Sequence, residues 1–201
     1  MSTSILSAED AADIAELLRE AVLLPHDGSK LQTKNGIIWV TCSDGDKILD
    51  FLEHVLNIIR EGNGRLRPHI FTEHGGAMVI AEDFPLYPLF RVAELMLAKI
   101  EDGHIMKNMD TVILMIHAPC SAAEKAHLNV IQELAYLIRG KRRIQEGMPN
   151  LDVACFIHVQ DAEGNKVVHY VSSFAFEAWY KKRLERTPAL KPTHAETHEH
   201  S

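Results

Sequence analysis

The sequence lacks several things that would point away from a compact α/β protein. It has only three cysteines in 201 residues, an odd number and too few for a disulfide framework, so a reducing compartment is expected. No apolar run approaches the ~20 residues that a membrane-spanning helix needs. Residues 1–10 show neither a basic nor an apolar leader region, and the expected location is cytoplasmic. There is no excess of basic charge: Lys and Arg number 21 against 28 Asp and Glu, a net charge of −7, with a pI near 5.9. That balance argues against a nucleic-acid partner, which usually needs a basic face. Aromatic residues are sparse at 6%, and no internal repeat is found beyond a recurring strand–turn–helix plan.

What is present is ordinary for one globular domain: 46% apolar and 24% charged residues, enough for a sizeable core. The chain is organised around Thr111-Val-Ile-Leu-Met-Ile-His-Ala-Pro-Cys120. Residues 111–116 read as a strand buried on both faces. His117 and Cys120 follow, Pro119 stops the strand from continuing, and Ser121-Ala-Ala-Glu124 has the spacing of a capping box opening a helix to about Arg143. Upstream, Ile37-Ile-Trp-Val-Thr41 repeats the plan, followed by Cys42-Ser-Asp44-Gly-Asp46 and a helix over 47–60. If the two strands are parallel neighbours, Cys42, His117 and Cys120 meet at the carboxyl edge of the sheet, where open α/β sheets bind ligands. Two thiolates and an imidazole suit Zn²⁺, with room for a fourth ligand.

Taken in order, Ser7 caps a first helix with Ala11, Ile14, Leu17, Leu18, Ala21 and Val22 on its apolar face. That face must lie on the chain's own domain or on a partner subunit. Gly62-Asn-Gly64 follows a helix, so it reads as a helix cap and loop and not as a dinucleotide fingerprint. Pro68–Thr72 is a short strand, then Glu73-His-Gly-Gly76, where paired glycines permit a close backbone approach or a plain turn. Phe84-Pro-Leu-Tyr-Pro88 is a rigid bend before a helix over about 89–100, with Glu101-Asp-Gly103 as its stop. Arg139, Lys141, Arg142 and Arg143 close the long helix as a solvated basic end in keeping with the macrodipole. Residues 151–157 form a buried strand, 166–171 an antiparallel edge strand, and 174–186 a closing helix. The tail from Pro188 reads as disordered.

The count gives an α/β fold: a doubly wound, mostly parallel sheet of four strands plus one antiparallel edge strand, helices on both faces, and an N-terminal helical arm. The expected divisions are 1–30 for the arm, 31–187 for the α/β domain and 188–201 for the tail. Cys155 lies mid-strand and reads as core. His194, His198 and His200 in the tail have no scaffold and would bind metal only adventitiously. His74 is either a proton shuttle near the site or a loop cap.

Cys42-Ser43-Asp44, followed 75 residues after Cys42 by His117-Ala-Pro-Cys120, resembles the paired motifs of the β-class carbonic anhydrases. The similarity covers roughly residues 35–172. It implies a mostly parallel sheet, a homodimer or higher homo-oligomer clasped by N-terminal helices, and zinc held by Cys42, His117 and Cys120. Asp44 would accept a hydrogen bond from zinc-bound water, and zinc-bound hydroxide would convert CO₂ reversibly to bicarbonate. One departure stands out. The family motif continues to an Arg that pairs with the Asp, and here that place is Asp46. Two carboxylates repel unless another cation intervenes. Lys47 points ~100° away on the helix, and Arg65 or Arg67 are candidates to reach in. Without a substitute, Asp44 becomes the fourth metal ligand and closes the site. The alternatives are therefore a catalytically silent zinc-binding or regulatory homologue, a related CS₂ or COS hydrolase, and a thiol redox protein using Cys42 and Cys120. The last leaves His117 without a role.

Overall fold

A computed structural model describes residues 5–87 and 90–186. The elements are α1 (Ala8–Arg19), β1 (Leu23–Pro25), β2 (Ile37–Cys42), α2 (Ile48–Glu61), β3 (Pro68–Glu73), a 3₁₀ turn (Gly76–Ile80), α3 (Val92–Lys107), β4 (Thr111–Ala118), α4 (Ser121–Lys125), α5 (Val130–Gly147), β5 (Asp152–Gln160), β6 (Lys166–Val171) and α6 (Ser173–Arg186). The six strands form one sheet in the order β1-β6-β5-β4-β2-β3. β2, β3, β4 and β5 run parallel, and β6 pairs antiparallel with both β5 and β1. Every residue of β2 and β4 is buried, as expected of central parallel strands covered on both faces.

The two faces can be told apart by side-chain alternation. Phe51 of α2 lies 5.4 Å from the His117 ring and 5.0 Å from the His158 ring, so α2 covers that face. Gly103 of α3 packs against Ile38, on the opposite face; a Cβ there would lie 3.0 Å from Ile38 Cδ1. The fold is thus the expected α/β architecture with helices on both faces. The apolar side of α1 lies on the chain's own domain. Ile14 and Leu17 join the core, Asp13 pairs with Arg183 of α6 at 2.7 Å, and Trp179 Nε1 donates to Glu16 at 3.1 Å.

Three local expectations are corrected. The segment read as a helical arm also contributes β1, which pairs Leu23 with Val171, so β6 is not the outermost strand there. A three-residue strand is too short to show alternation. The helix expected as one piece from 121 is two. His127 turns left-handed (φ 55), and the Leu128 and His127 amides bond back to Ala123 and Glu124 at 2.9 and 3.0 Å, a Schellman stop. Asn129 and Gln132 then form the capping box of α5, whereas Ser121 sits inside α4 with Cys120 as its N-cap and no side-chain cap bond. Finally, α3 runs through Gly103, which serves close packing, and stops at left-handed Asn108 (φ 54).

The remaining punctuation agrees with its reading. Gly62 caps α2, and a Cβ on Gly64 would meet Thr33 Oγ1 at 2.1 Å. The basic run, by contrast, does not close the helix as expected: α5 continues to Gly147 with no basic residue in its last turn, and Arg139, Arg142 and Arg143 pair instead with Asp83, Glu177 and Glu94. The expected tail, its three histidines, Pro88 and the start of the helix at Leu89 lie outside the described residues. Among the described residues no helix is long and apolar enough to cross a membrane.

Because Phe51 is fully buried and wedges α2 onto both histidines, Phe51→Ala should cost about 3–5 kcal/mol in urea denaturation. A loss under ~1 kcal/mol would mean that α2 is not anchored there.

Candidate metal centre

β2 and β4 are adjacent and parallel, with Val40 level with Leu114, so their carboxyl ends finish side by side. Cys42 ends β2, His117 stands near the end of β4, and Cys120 follows the turn through Pro119 as the N-cap of α4. The outcome is a cluster in which the ligand atoms of Cys42, His117 and Cys120 all lie within 4.8 Å of one another. Their exposures are 4%, 2% and 5%. The second glycine of Glu73-His-Gly-Gly76 makes this convergence possible. A Cβ on Gly76 would lie 2.9 Å from both the Cys42 amide nitrogen and the Met115 carbonyl, and its φ is +58.

The electrostatics of the cluster fit a metal. The Cys120 thiol donates to Cys42, and this holds the Cys42 thiol well below its usual range; burial opposes the shift and His117 assists it. Cys120 is pushed up by the same bond, then by burial and by the Glu133 and Cys42 charges. The pair therefore shares one proton. Neither His117 ring nitrogen has a hydrogen-bond partner, although both are buried. A buried imidazole in that condition is costly, and coordination by one nitrogen would relieve it. A Cys–His–Cys donor set matches the soft and borderline ligands that Zn²⁺ takes.

Asp44 lies beside the cluster. Its Oδ2 is 3.9 Å from His117 Nε2, and its Oδ1 accepts from the Asp46 amide at 2.9 Å. No arginine or lysine pairs with it among the described residues. Asp46 is exposed, and Lys47 Nζ turns away to donate to Gln160 Oε1. The expectation that Arg65 or Arg67 reaches in fails. Their backbone flanks the start of β2, where Ile37 N–H bonds to Arg67 O at 3.2 Å, about 16 Å of strand away from Cys42. His74 is exposed at the rim, its Nδ1 3.1 Å from Ser43 Oγ. Cys155 is fully buried core, its thiol pushed up to about 12 by burial.

Two residues of this region escaped the sequence reading. His158 is level with His117 on β5, fully buried, with both ring nitrogens unpartnered. Burial, then His54 and His117, push it down to about 4. Glu133 is 4% exposed. Its signal was its place on the apolar stripe with Val130, Leu134 and Leu137, where an acid is out of pattern.

No protein-family model and no curated protein matches the sequence. Solved structures do align over most of the chain. A β-carbonic anhydrase isoform of Trichomonas vaginalis is 13% identical, with 83% of this chain and 99% of that chain covered and a TM-score of 0.41. A carbonic anhydrase of Streptococcus mutans is 16% identical, covering 86% and 100%, TM-score 0.39. A β-carbonic anhydrase of the fungal pathogen Aspergillus fumigatus is 13% identical, covering 87% and 91%, TM-score 0.38.

The shared proton has an optical consequence. In metal-free protein, thiolate absorbance near 240 nm should persist well below the ordinary thiol pKa of ~8.5, and Cys42→Ser should abolish it. Absorbance that rises only near that value, as for an isolated cysteine, would mean that the two thiols are not paired.

Proposed function

We propose that the chain is a zinc protein of carbonic-anhydrase type, in which Cys42, His117 and Cys120 hold Zn²⁺ and Asp44 works beside it. The observation that carries this reading is the cluster itself: two buried thiols and a partnerless buried imidazole, their ligand atoms within 4.8 Å. Zn²⁺ held there supplies Lewis acidity, lowering the pKa of a coordinated water from about 15.7 towards ~7. The proposed reaction is the reversible hydration of CO₂ to bicarbonate; the same chemistry extends to COS and CS₂.

The chain's own residues divide the remaining work. Cys42 and Cys120 each contribute a negative charge and cancel that of the ion, which makes it a weaker Lewis acid than an all-imidazole site would. Orientation of the attacking water then matters more. Asp44 Oδ2 accepts its hydrogen bond, while Oδ1 remains held by the Asp46 amide. In the hydration, the water oxygen would bond to the CO₂ carbon as one C=O π bond opens onto oxygen, and the proton lost from the water's O–H would pass to buffer by way of the rim, where His74 is exposed.

A second reading is favoured by a specific observation: among the described residues no lysine or arginine restrains Asp44, and Lys47 is committed to Gln160. A free carboxylate beside the ion serves as fourth ligand, which makes a closed, silent zinc-binding or regulatory protein. The same proposal includes a cytoplasmic homodimer and the division into arm (1–30), α/β domain (31–187) and tail (188–201). Free cysteines and the exposed apolar Leu95, Ile105 and Met106 on α3 support the compartment and the dimer.

Two measurements test these readings. Cys42→Ser or Cys120→Ser should lose zinc, with the thermal midpoint falling roughly 2–4 °C for each kcal/mol of binding energy removed; unchanged zinc content would refute the ligand assignment. Stopped-flow CO₂ hydration on zinc-loaded protein should show turnover in the wild type. Zinc without turnover, with activity appearing in Asp46→Arg, would establish the closed site, and silence in both would remove CO₂ as substrate.

A further inference from the structure

A cavity of about 600 Å³ lies between the start of α1, the β4–α4 turn and the start of α5. Cys120 forms part of one wall, and three carboxyl groups, those of Asp10, Glu124 and Glu133, form others. No lysine or arginine among the described residues lines it. Apolar residues, Ile5, Pro119 and Leu128 among them, make up much of the remaining wall. We propose that this cavity binds a small free alkylammonium ion, with Glu133 as its counter-ion.

Glu133 carries the inference. It is 4% exposed, and its Oε2 is buried without a hydrogen-bond partner. Asp10 is differently placed. Its Oδ1 accepts from the Val130 amide at 2.8 Å, and its Oδ2 accepts from Ser7 Oγ at 2.8 Å. Asp10 is thus fixed by neutral donors that leave its negative charge uncancelled and facing the same cavity. A buried carboxyl without a partner is unfavourable in either protonation state. Burial and the Asp10 charge together push the Glu133 carboxyl well above its usual range.

An ammonium group in the cavity lessens both penalties, because it brings a positive charge beside Glu133 and N–H donors to the part of that side chain that lines the wall. The apolar wall accommodates a short alkyl stem, and the volume is far larger than the ~30 Å³ share of one water. An anion would meet carboxylates with no basic residue to receive it. A divalent ion is a poorer match, because only Cys42, His117 and Cys120 bring three ligand atoms within 4.8 Å of one another among the described residues. This inference stands apart from the zinc reading, although the ligand would rest against the outer side of Cys120.

The test is calorimetric titration of n-butylammonium into the full chain, zinc-loaded and zinc-free, with n-butanol and butyrate as controls. Wild type should bind the amine saturably in both metal states and bind neither control. Glu133→Gln keeps the shape and removes the charge, so affinity should fall at least about tenfold, the loss of one charge-assisted hydrogen bond. Leu128→Trp, which fills the cavity and leaves the acid in place, should block binding as well. Absence of saturation in wild type, equal affinity in Glu133→Gln, or butanol binding as tightly as the amine would overturn the proposal. Binding confined to zinc-loaded protein and retained in Glu133→Gln would also overturn it, since the amine would then be coordinating the metal.

Discussion

Parallel pairing of β2 with β4 is the constraint on which the rest of the structure depends. Val40 level with Leu114 puts the last residue of one strand close to the final residues of the other. A slip of one residue would turn His117 to the opposite face of the sheet and remove it from the thiols. The register is itself held by packing that tolerates no shift. Both strands are buried throughout, Gly76 fits against the Cys42 amide and the Met115 carbonyl, and Phe51 lies on the His117 ring. The hydrophobic core and the polar cluster are therefore one device. The apolar side chains fix the register, and the register fixes the donor set.

Charge around the cluster follows a different logic. Where an arginine would neutralise Asp44, this chain has Asp46, and the backbone amide of Asp46 is what the Asp44 carboxylate bonds. An amide holds a carboxylate in position without cancelling its charge. Lys47 is in the right part of the sequence for compensation, but it starts a helix whose geometry carries its side chain towards β5 and Gln160. The full negative charge of Asp44 thus stays near the site, 3.9 Å from His117 Nε2. That charge is why the open and closed readings both arise from one geometry. They differ only in whether Asp44 Oδ2 accepts a hydrogen bond or donates a lone pair to the ion.

Much of this was legible in the sequence for physical reasons. Continuous apolar runs bounded by turn residues marked the central strands, because a parallel strand buried on both faces has no polar alternation to confuse it. Cys42, His117 and Cys120 were legible because chemically distinctive residues fell in the two turns that such a sheet brings together. β1 was not legible, since three residues cannot show a period. The break after α4 was missed because its Schellman stop uses His127 where a glycine is usual, and the Ser121-x-x-Glu124 spacing imitated a cap that Asn129 and Gln132 form instead. Gly103 looked like a stop and is a packing contact, a distinction that only the neighbouring Ile38 decides. The positions of Arg65 and Arg67 depended on which end of β2 they flank, a tertiary fact that local pattern does not carry.

The polar atoms left without partners are not spread evenly. Among the described residues nine buried side-chain nitrogen and oxygen atoms lack one, and six of these belong to Thr41, His117, His158 and Glu133. Thr41 precedes Cys42, His117 and His158 are level on adjacent strands, and Glu133 lines the cavity that reaches Cys120. Native folds pair nearly all such groups, and an unpaired one is destabilising wherever it is buried. Their concentration at one end of the sheet makes the unfavourable burial local to the proposed sites. The metal ion proposed above would answer for His117 and the thiols. It leaves Glu133 unanswered, because a carboxyl on the far wall of a separate cavity needs a partner of its own, and the uncancelled charge of Asp10 beside it selects a positive one.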